Sequence, residues 1–305
     1  MSRSDVMSSA APGVVRLPVP PAVPYRVNDW DLLELAGEGS LAQVYRARPV
    51  GTEGDRPAAY AVKMLRPEWR KNPQAIGLLR REALVGRQVT HAHLVAILAA
   101  GIHGPPYFVV MPWLTGQTLA ERLAGERPLD LPIALWTARQ VGEALHALHQ
   151  EGWMHGDVKP SNIFLSPEGH ATLLDLGFAR RRDEIGSVAD RCVMGTYHYI
   201  APEMITSALR PDIRSDIYSL GVVLFETLAG RLPFQAGDLA ELATQHKEAR
   251  PPDLRRLAPH LPGGVARLVR EMLAKDPIRR PQTPAELVQR LTALEIETFA
   301  ERSEE

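Results

Sequence analysis

A single cysteine, Cys192, occurs in the whole chain. That excludes an intrachain disulfide framework and fits a reducing compartment. No apolar run comes near the ~20 residues that cross a bilayer; stretches such as Leu94–Ile102 fall well short. The N-terminus has no apolar signal core either, because four prolines interrupt Val14–Pro24. The expected location is therefore the cytoplasm, with no membrane partner. Neither sign of charge is in excess, with 35 Lys plus Arg against 36 Asp plus Glu and a net charge of −1. Nothing in that balance favours nucleic acid or an anionic surface as a partner. No internal repeat is visible.

What is present reads as an ordinary globular chain, 305 residues long, 45% apolar and 23% charged. That is enough for a sizeable core. Residues 1–27, rich in Ser, Ala, Val and Pro, are expected to be a disordered leader that joins the fold only near Tyr25. Residues 28–65 read as short strands. Val44–Arg48 and Ala59–Leu65 flank a polar turn holding Gly51, Gly54, Asp55 and Pro57, which predicts an antiparallel hairpin. Asn72-Pro73 predicts a helix start, with the helix running to about Val89. Tyr107–Met111 reads as a short buried strand. From Asp130 onward the pattern is mostly helical, with Val141, Ala144, Leu145 and Leu148 at helical spacing. Ile217–Leu228, apolar almost all round, predicts a helix at the centre of a lobe. Glu295–Glu305 is acidic and is expected to fray. The predicted class is α+β, a small β-rich lobe followed by a larger helical one.

Two stretches carry chemistry. Gly37-Glu38-Gly39-Ser40-Leu41-Ala42 matches a G-x-G-x-x-G loop with Ala in the third place. Such loops also open dinucleotide-binding domains, but there the glycines lead into a helix and an acidic residue follows ~20 positions on. Here they lead into the strand Val44–Arg48, and Lys63 stands about 20 residues on. A Gly-rich strand–turn–strand can lay backbone N–H groups over phosphates, with a lysine to pair them. Lys63, inside the apolar run Tyr60–Met64, must either snorkel to solvent or meet an anion. Glu82, central on the predicted helix, can supply that anion; on an isolated helix it would be a solvated face residue.

The second stretch is His155-Gly156-Asp157-Val158-Lys159-Pro160-Ser161-Asn162, followed by Leu174-Asp175-Leu176-Gly177. Phosphoryl transfer needs a group to take the hydroxyl proton, ligands for Mg²⁺ and positive charge on the transferred group. Asp157 can be the base, Asn162 and Asp175 hard oxygen ligands, and Lys159 the cation. The bland alternative is a pair of polar loops with capping roles.

With both stretches in this order, the chain resembles the eukaryotic-type Ser/Thr protein kinases in their bacterial (Hanks-type) form, from about Trp30 to Leu294. Gly195-Thr196, Ala201-Pro202-Glu203, Asp216 and Arg280 in Asp276–Pro281 match further family pieces, and Pro233-Phe234 to Ala243–His246 matches the bacterial members. The resemblance implies a two-lobed kinase domain over 28–296: N-lobe 28–111, hinge 112–114, C-lobe 115–296 and an acidic tail 297–305. It implies Asp157, Lys159, Lys63 and Glu82 as catalytic residues. It implies nucleotide contacts at Gly37, Glu38, Gly39, Val44, Ala61, Lys63, Pro112 and Leu114, and metal ligation by Asn162 and Asp175. Adenine would be read by the carbonyl of Pro112 and the N–H of Leu114, for which a proline at 112 is compatible. The implied cofactors are ATP and Mg²⁺, with Mn²⁺ able to substitute. The implied partners are protein substrates bearing Ser or Thr, and a regulatory protein to bring the signal, since no sensor domain is visible.

The sequence departs from the family at three points. Gly156 replaces the usual Arg before the catalytic Asp, Leu176 replaces the usual Phe after Asp175, and Gly86 stands where a larger apolar residue is usual. His155 is expected to be a packing residue without proton chemistry. Two rivals remain: an ATP-binding pseudokinase scaffold, which predicts loss of Lys63, Asp157, Asn162 or Asp175, and a small-molecule phosphotransferase, which lacks the Gly-Thr…Ala-Pro-Glu segment. All four residues and the segment are present. With Gly at 156, and only Ser187 bearing a hydroxyl between Gly177 and Gly195, activity is expected not to depend on phosphorylation there.

Overall fold

Alternating buried and exposed positions along 25–49 and 60–65 give the strands of the N-terminal half one face for a core. The computed structural model describes residues 25–52, 58–125, 128–181, 184, 197–205 and 211–302. Six antiparallel strands form one sheet: β1 (Tyr25–Val27), β2 (Trp30–Glu38), β3 (Ala42–Pro49), β4 (Tyr60–Leu65), β5 (Ala99–Gly101) and β6 (Phe108–Pro112), in the order β1-β2-β3-β4-β6-β5. The predicted β3–β4 hairpin is present, although Gly54, Asp55 and Pro57 lie outside the described residues. Tyr25–Val27, counted above with the leader, belongs to the sheet: Val27 is buried, and the Tyr25 ring packs edge-on against Tyr45.

Helix α1 (Pro73–Gln88) starts where the sequence places it. The Asn72 side chain accepts hydrogen bonds from the N–H groups of Gln74 and Ala75, and Pro73 occupies the first turn, where its missing N–H costs nothing. Its inward face (Ala75, Leu79, Glu82, Ala83, Gly86) packs toward Leu65, Ile97, Tyr107 and Val109.

The C-terminal half is built around helices. These are α2 (Leu119–Gly125), α3 (Leu131–Gln150), α4 (Pro202–Ile205), α5 (Ile213–Ala229), α6 (Leu239–Glu248), α7 (Leu254–Leu257), α8 (Gly263–Met272) and α9 (Pro284–Arg302). The predicted central helix is α5, buried at nearly every position, capped by Asp212 and ended by Gly230 in the left-handed region. Val141, Ala144, Leu145 and Leu148 of α3 are fully buried in the same core. The short strands β7 (Gln117–Thr118), β9 (Ile163–Leu165) and β10 (Ala171–Leu173) form a second sheet, and β8 (Trp153–Met154) pairs with β11 (Arg180–Arg181). A β-rich N-terminal part and a helical C-terminal part give the predicted α+β class.

The frayed acidic end expected from Glu295 is corrected in part. Helix α9 continues to Arg302, Glu295 pairs with Arg139 of α3 at 2.9 Å, and Thr298 is buried with its hydroxyl on the Leu294 carbonyl. Packing on α3 pulls those residues into the fold, where their charges alone suggest solvent. Among the described residues, no helix is long and apolar enough to cross a membrane.

Candidate active site

The β3–β4–β6 register places several predicted residues on one face of the sheet. Gly37 lies opposite Val44, Val44 opposite Lys63, and Ala61 opposite Met111; residues two apart on a strand share a face. Pro112 is the last residue of β6, with Leu114 two positions on. The glycine loop closes as a tight turn, Gly39 N–H donating to Ala42 C=O at 2.9 Å, braced by Trp69 Nε1 on the Ser40 carbonyl. The Glu38 side chain pairs instead with Gln43 and Arg66.

Lys63 does not snorkel. Its Nζ lies 2.9 Å from Glu82 Oε2 and 3.0 Å from Asp175 Oδ1, so one ammonium joins β4, α1 and the turn after β10. Burial works to lower the Lys63 pKa, but Asp175 and Glu82 outweigh it and hold the ammonium charged. Burial raises the Glu82 pKa, with Lys63 opposing. For Asp175 the order reverses: burial is overcome by Lys63 and by the Gly177 N–H, so its carboxylate stays ionised below the usual range.

The β9–β10 hairpin explains the 13-residue offset from Asn162 to Asp175. Ile163 pairs with Leu173, and Leu174 N–H donates to the Asn162 carbonyl at 2.8 Å, so the chain returns Asp175 beside Asn162. Asp175 itself adopts φ 63°, ψ 82°, a left-handed conformation that costs a non-glycine residue of order 1–3 kcal/mol and clusters at functional sites. Asn162 Nδ2 donates to both the backbone carbonyl and Oδ2 of Asp157, 2.9 Å each. Lys159 Nζ lies 2.7 Å from the same Oδ2. Burial raises the Asp157 pKa, with Lys159 and Asn162 pulling the other way.

The loop from His155 to Asn162 is held from below by Asp216, one turn into α5. Its carboxylate accepts the N–H groups of His155 and Gly156 at 2.6 and 2.8 Å. His155 is fully buried, with Nε2 on the Leu174 carbonyl and Nδ1 accepting the Asp157 N–H. Burial lowers its pKa, so a neutral, positioning imidazole fits the expected packing role. Gly156 has φ +79°, and a Cβ there would sit 2.7 Å from the Phe178 carbonyl, so the loop in this shape excludes an arginine.

Gly86 is compensated as well. A Cβ at that position would lie 2.3 Å from Ile97 Cγ1 and 3.5 Å from Cδ1 of the fully buried Leu176, so these two side chains fill the space. The residue whose importance the sequence hid is Ile97, which belongs to no local motif. Glu203 and Arg280 form a buried bidentate pair at 2.6 and 2.8 Å. Ser187, Asp190, Cys192, Gly195 and Thr196 lie outside the described residues.

A family model, the protein kinase domain, matches residues 30–291. This chain belongs to the protein kinase domain family. Serine/threonine-protein kinase PrkC of Bacillus subtilis is 31% identical over 258 residues, covering 85% of this chain and 39% of that protein. Serine/threonine-protein kinase PknB of Mycolicibacterium smegmatis is 34% identical over 272 residues, covering 87% of this chain and 43% of its own length. PknB of Mycobacterium tuberculosis is 33% identical over 273 residues, with 87% and 42% covered. This chain thus spans about two fifths of the relatives it matches.

Proposed function

We propose that this chain transfers the γ-phosphoryl group of Mg²⁺-bound ATP to serine or threonine hydroxyls of protein substrates. The observation that carries the reading is the placement of Lys63 between Glu82 and Asp175, 2.9 and 3.0 Å away, with Asp157 tied to Lys159 and Asn162 nearby in sequence and fold. Gly37, Gly39, Val44 and Ala61 would cover the nucleotide, with Glu38 at the loop's surface and Pro112 and Leu114 reading the base by backbone groups. Lys63, fixed by Glu82, would orient the phosphates.

The donors present suit a hard divalent cation. Asp175 is held ionised, and Asn162, having spent its Nδ2 protons on Asp157, keeps its Oδ1 as a neutral oxygen ligand. Mg²⁺ (or Mn²⁺) held there would neutralise charge building on the β- and γ-phosphate oxygens. Asp157 would accept the hydroxyl proton; its raised pKa makes the carboxylate a stronger base. Lys159 would offset charge on the transferred group. A cytoplasmic setting, ATP and protein substrates as ligands, and a regulatory protein partner complete the reading.

The test is incubation with labelled ATP, Mg²⁺ and a generic basic protein, followed by phosphoamino-acid analysis. Label on phosphoserine or phosphothreonine is expected. No label, or label only on tyrosine, refutes the proposal.

A further inference from the structure

Lys275, just after α8, reaches back against α5 and α6. Its Nζ lies 4.0 Å from the Phe234 ring centroid and 5.6 Å from that of Tyr218. It donates to the Gln245 carbonyl at 3.2 Å and, more loosely, to the Tyr218 hydroxyl at 3.4 Å. Among the described residues no carboxylate pairs with it. The adjacent Asp276 accepts the Ile278 N–H instead, and Glu203 is taken by Arg280. The charge beside it has its own sign: Arg280 donates to the Lys275 carbonyl at 3.1 Å and lays its guanidinium over the same Tyr218 ring, 4.9 Å from the centroid. On the α6 side stands the buried His246, its Nδ1 2.9 Å from the Tyr218 hydroxyl and its ring 5.0 Å from that of Phe234. Lys63 and Lys159, by contrast, each lie on carboxylates.

An ammonium held by two rings and one carbonyl, beside a permanent cation, is a poorly compensated charge. The face-on attraction of the rings offsets only part of what leaving water costs it. Burial, with Arg280 adding to it, pushes the Lys275 pKa down to about 7, against about 10.4 for an ordinary lysine. Near neutral pH much of this side chain is therefore free amine, which is the nucleophilic form. Desolvation in apolar surroundings beside a second cation activates lysines in this way. The side chain is half-buried and not sealed, which leaves a path for a small electrophile.

We propose that Lys275 is a site of covalent modification, a nucleophilic lysine that takes an acetyl group from an activated acyl donor. The Nζ lone pair attacks the acyl carbon and an N–C bond forms. The bond from that carbon to the phosphate oxygen of an acyl phosphate, or to the sulfur of a thioester, breaks, and its electron pair leaves with that atom. The nitrogen gives one proton to solvent, and nothing is oxidised or reduced. The product amide is uncharged and keeps one N–H for the Gln245 carbonyl. It ends the like-charge contact with Arg280 and leaves a neutral group against Phe234 and Tyr218.

The experiment uses the wild-type protein at about pH 7.5, incubated with acetyl phosphate in one arm and acetyl-coenzyme A in the other. Peptide mass spectrometry follows the occupancy of each lysine with time. Lys275 is expected to acetylate at least about tenfold faster than the exposed Lys71 and Lys247. Its rate should level off above about pH 8, while theirs keep rising towards about pH 10. In denaturing urea, which removes the rings and Arg280 from its surroundings, the advantage should vanish. Selectivity in either arm, or in both, supports the proposal and identifies the donor. An advantage below about tenfold in both arms, no modification of Lys275, or an advantage that persists in urea overturns it. None of these readouts needs phosphoryl transfer, so the outcome is independent of the kinase reading.

Discussion

Replacing Arg280 by methionine removes every donor from one of the most completely satisfied side chains in the molecule. Nε donates to the Ala274 carbonyl, Nη1 to Glu203 and the Arg214 carbonyl, and Nη2 to Glu203 and the Lys275 carbonyl. All five N–H groups of the guanidinium are therefore used. The pair is buried, with side-chain exposures of 0% for Arg280 and 2% for Glu203. Arg280→Met would leave the Glu203 carboxylate uncompensated inside the protein, keeping, among the described residues, only the Ser215 hydroxyl at 2.7 Å. Breaking one side of such a pair costs about 3–5 kcal/mol. At about 2–4 °C per kcal/mol for a domain of this size, the melting temperature should fall by roughly 6–20 °C. The control is Arg280→Met with Glu203→Leu, which removes the stranded charge and should recover most of the loss. Circular dichroism or scanning fluorimetry reads both. A single variant that shifts by less than about 2 °C, or a double variant as unstable as the sum of its parts, refutes the reasoning.

Three further predictions concern chemistry and pH. Asp175→Ala should lose productive Mg-ATP binding, and chelation of all divalent ions should abolish transfer in the wild type, because the phosphates need a hard cation. Radiolabel transfer and nucleotide-binding calorimetry would show both. The buried His246 is pushed down to about 4 by burial, with Lys275 and His198 adding to the shift, and its Nδ1 lies 2.9 Å from the Tyr218 hydroxyl. Its folded pKa lies below the ordinary value of about 6.5, so the unfolded chain takes the proton first and stability falls as pH drops from about 6.5 towards 4. His246→Gln should flatten that slope in denaturant titrations run across the range. Finally, phosphatase-treated protein and Ser187→Ala should keep wild-type rates on an exogenous substrate, and a loss of more than about tenfold would show that phosphorylation matters.

The features legible in the sequence are those carried by near neighbours. Asn72-Pro73 announced α1 because a helix cap is made within four residues. Asp157, Lys159 and Asn162 sit on one short loop, and a single hairpin returns Asp175 to them. What could not be read depends on contacts across long loops. Asp216 grips the loop that starts at His155 from 61 residues away, and nothing in its local pattern says which amides it meets. Glu295 looks like a solvated charge until α9 packs on α3 and brings Arg139 to it across 156 residues. Gly86 reads as a gap in the packing until Ile97, from the stretch before β5, fills it. Tyr25–Val27 follows a proline-rich run and is too short to announce a strand, yet the open edge of β2 recruits it.

The central claim is that Asp157 takes the proton of a protein hydroxyl while Lys63, Asn162 and Asp175 manage the phosphates. Single-turnover transfer from saturating Mg-ATP to a serine-containing acceptor, compared between wild type and Asp157→Asn, tests it most directly. The substitution keeps the shape of the side chain, so the melting temperature should change little. The rate should fall by about 10²–10⁴-fold, the contribution of a positioned base. A variant that transfers phosphate at close to the wild-type rate contradicts the account.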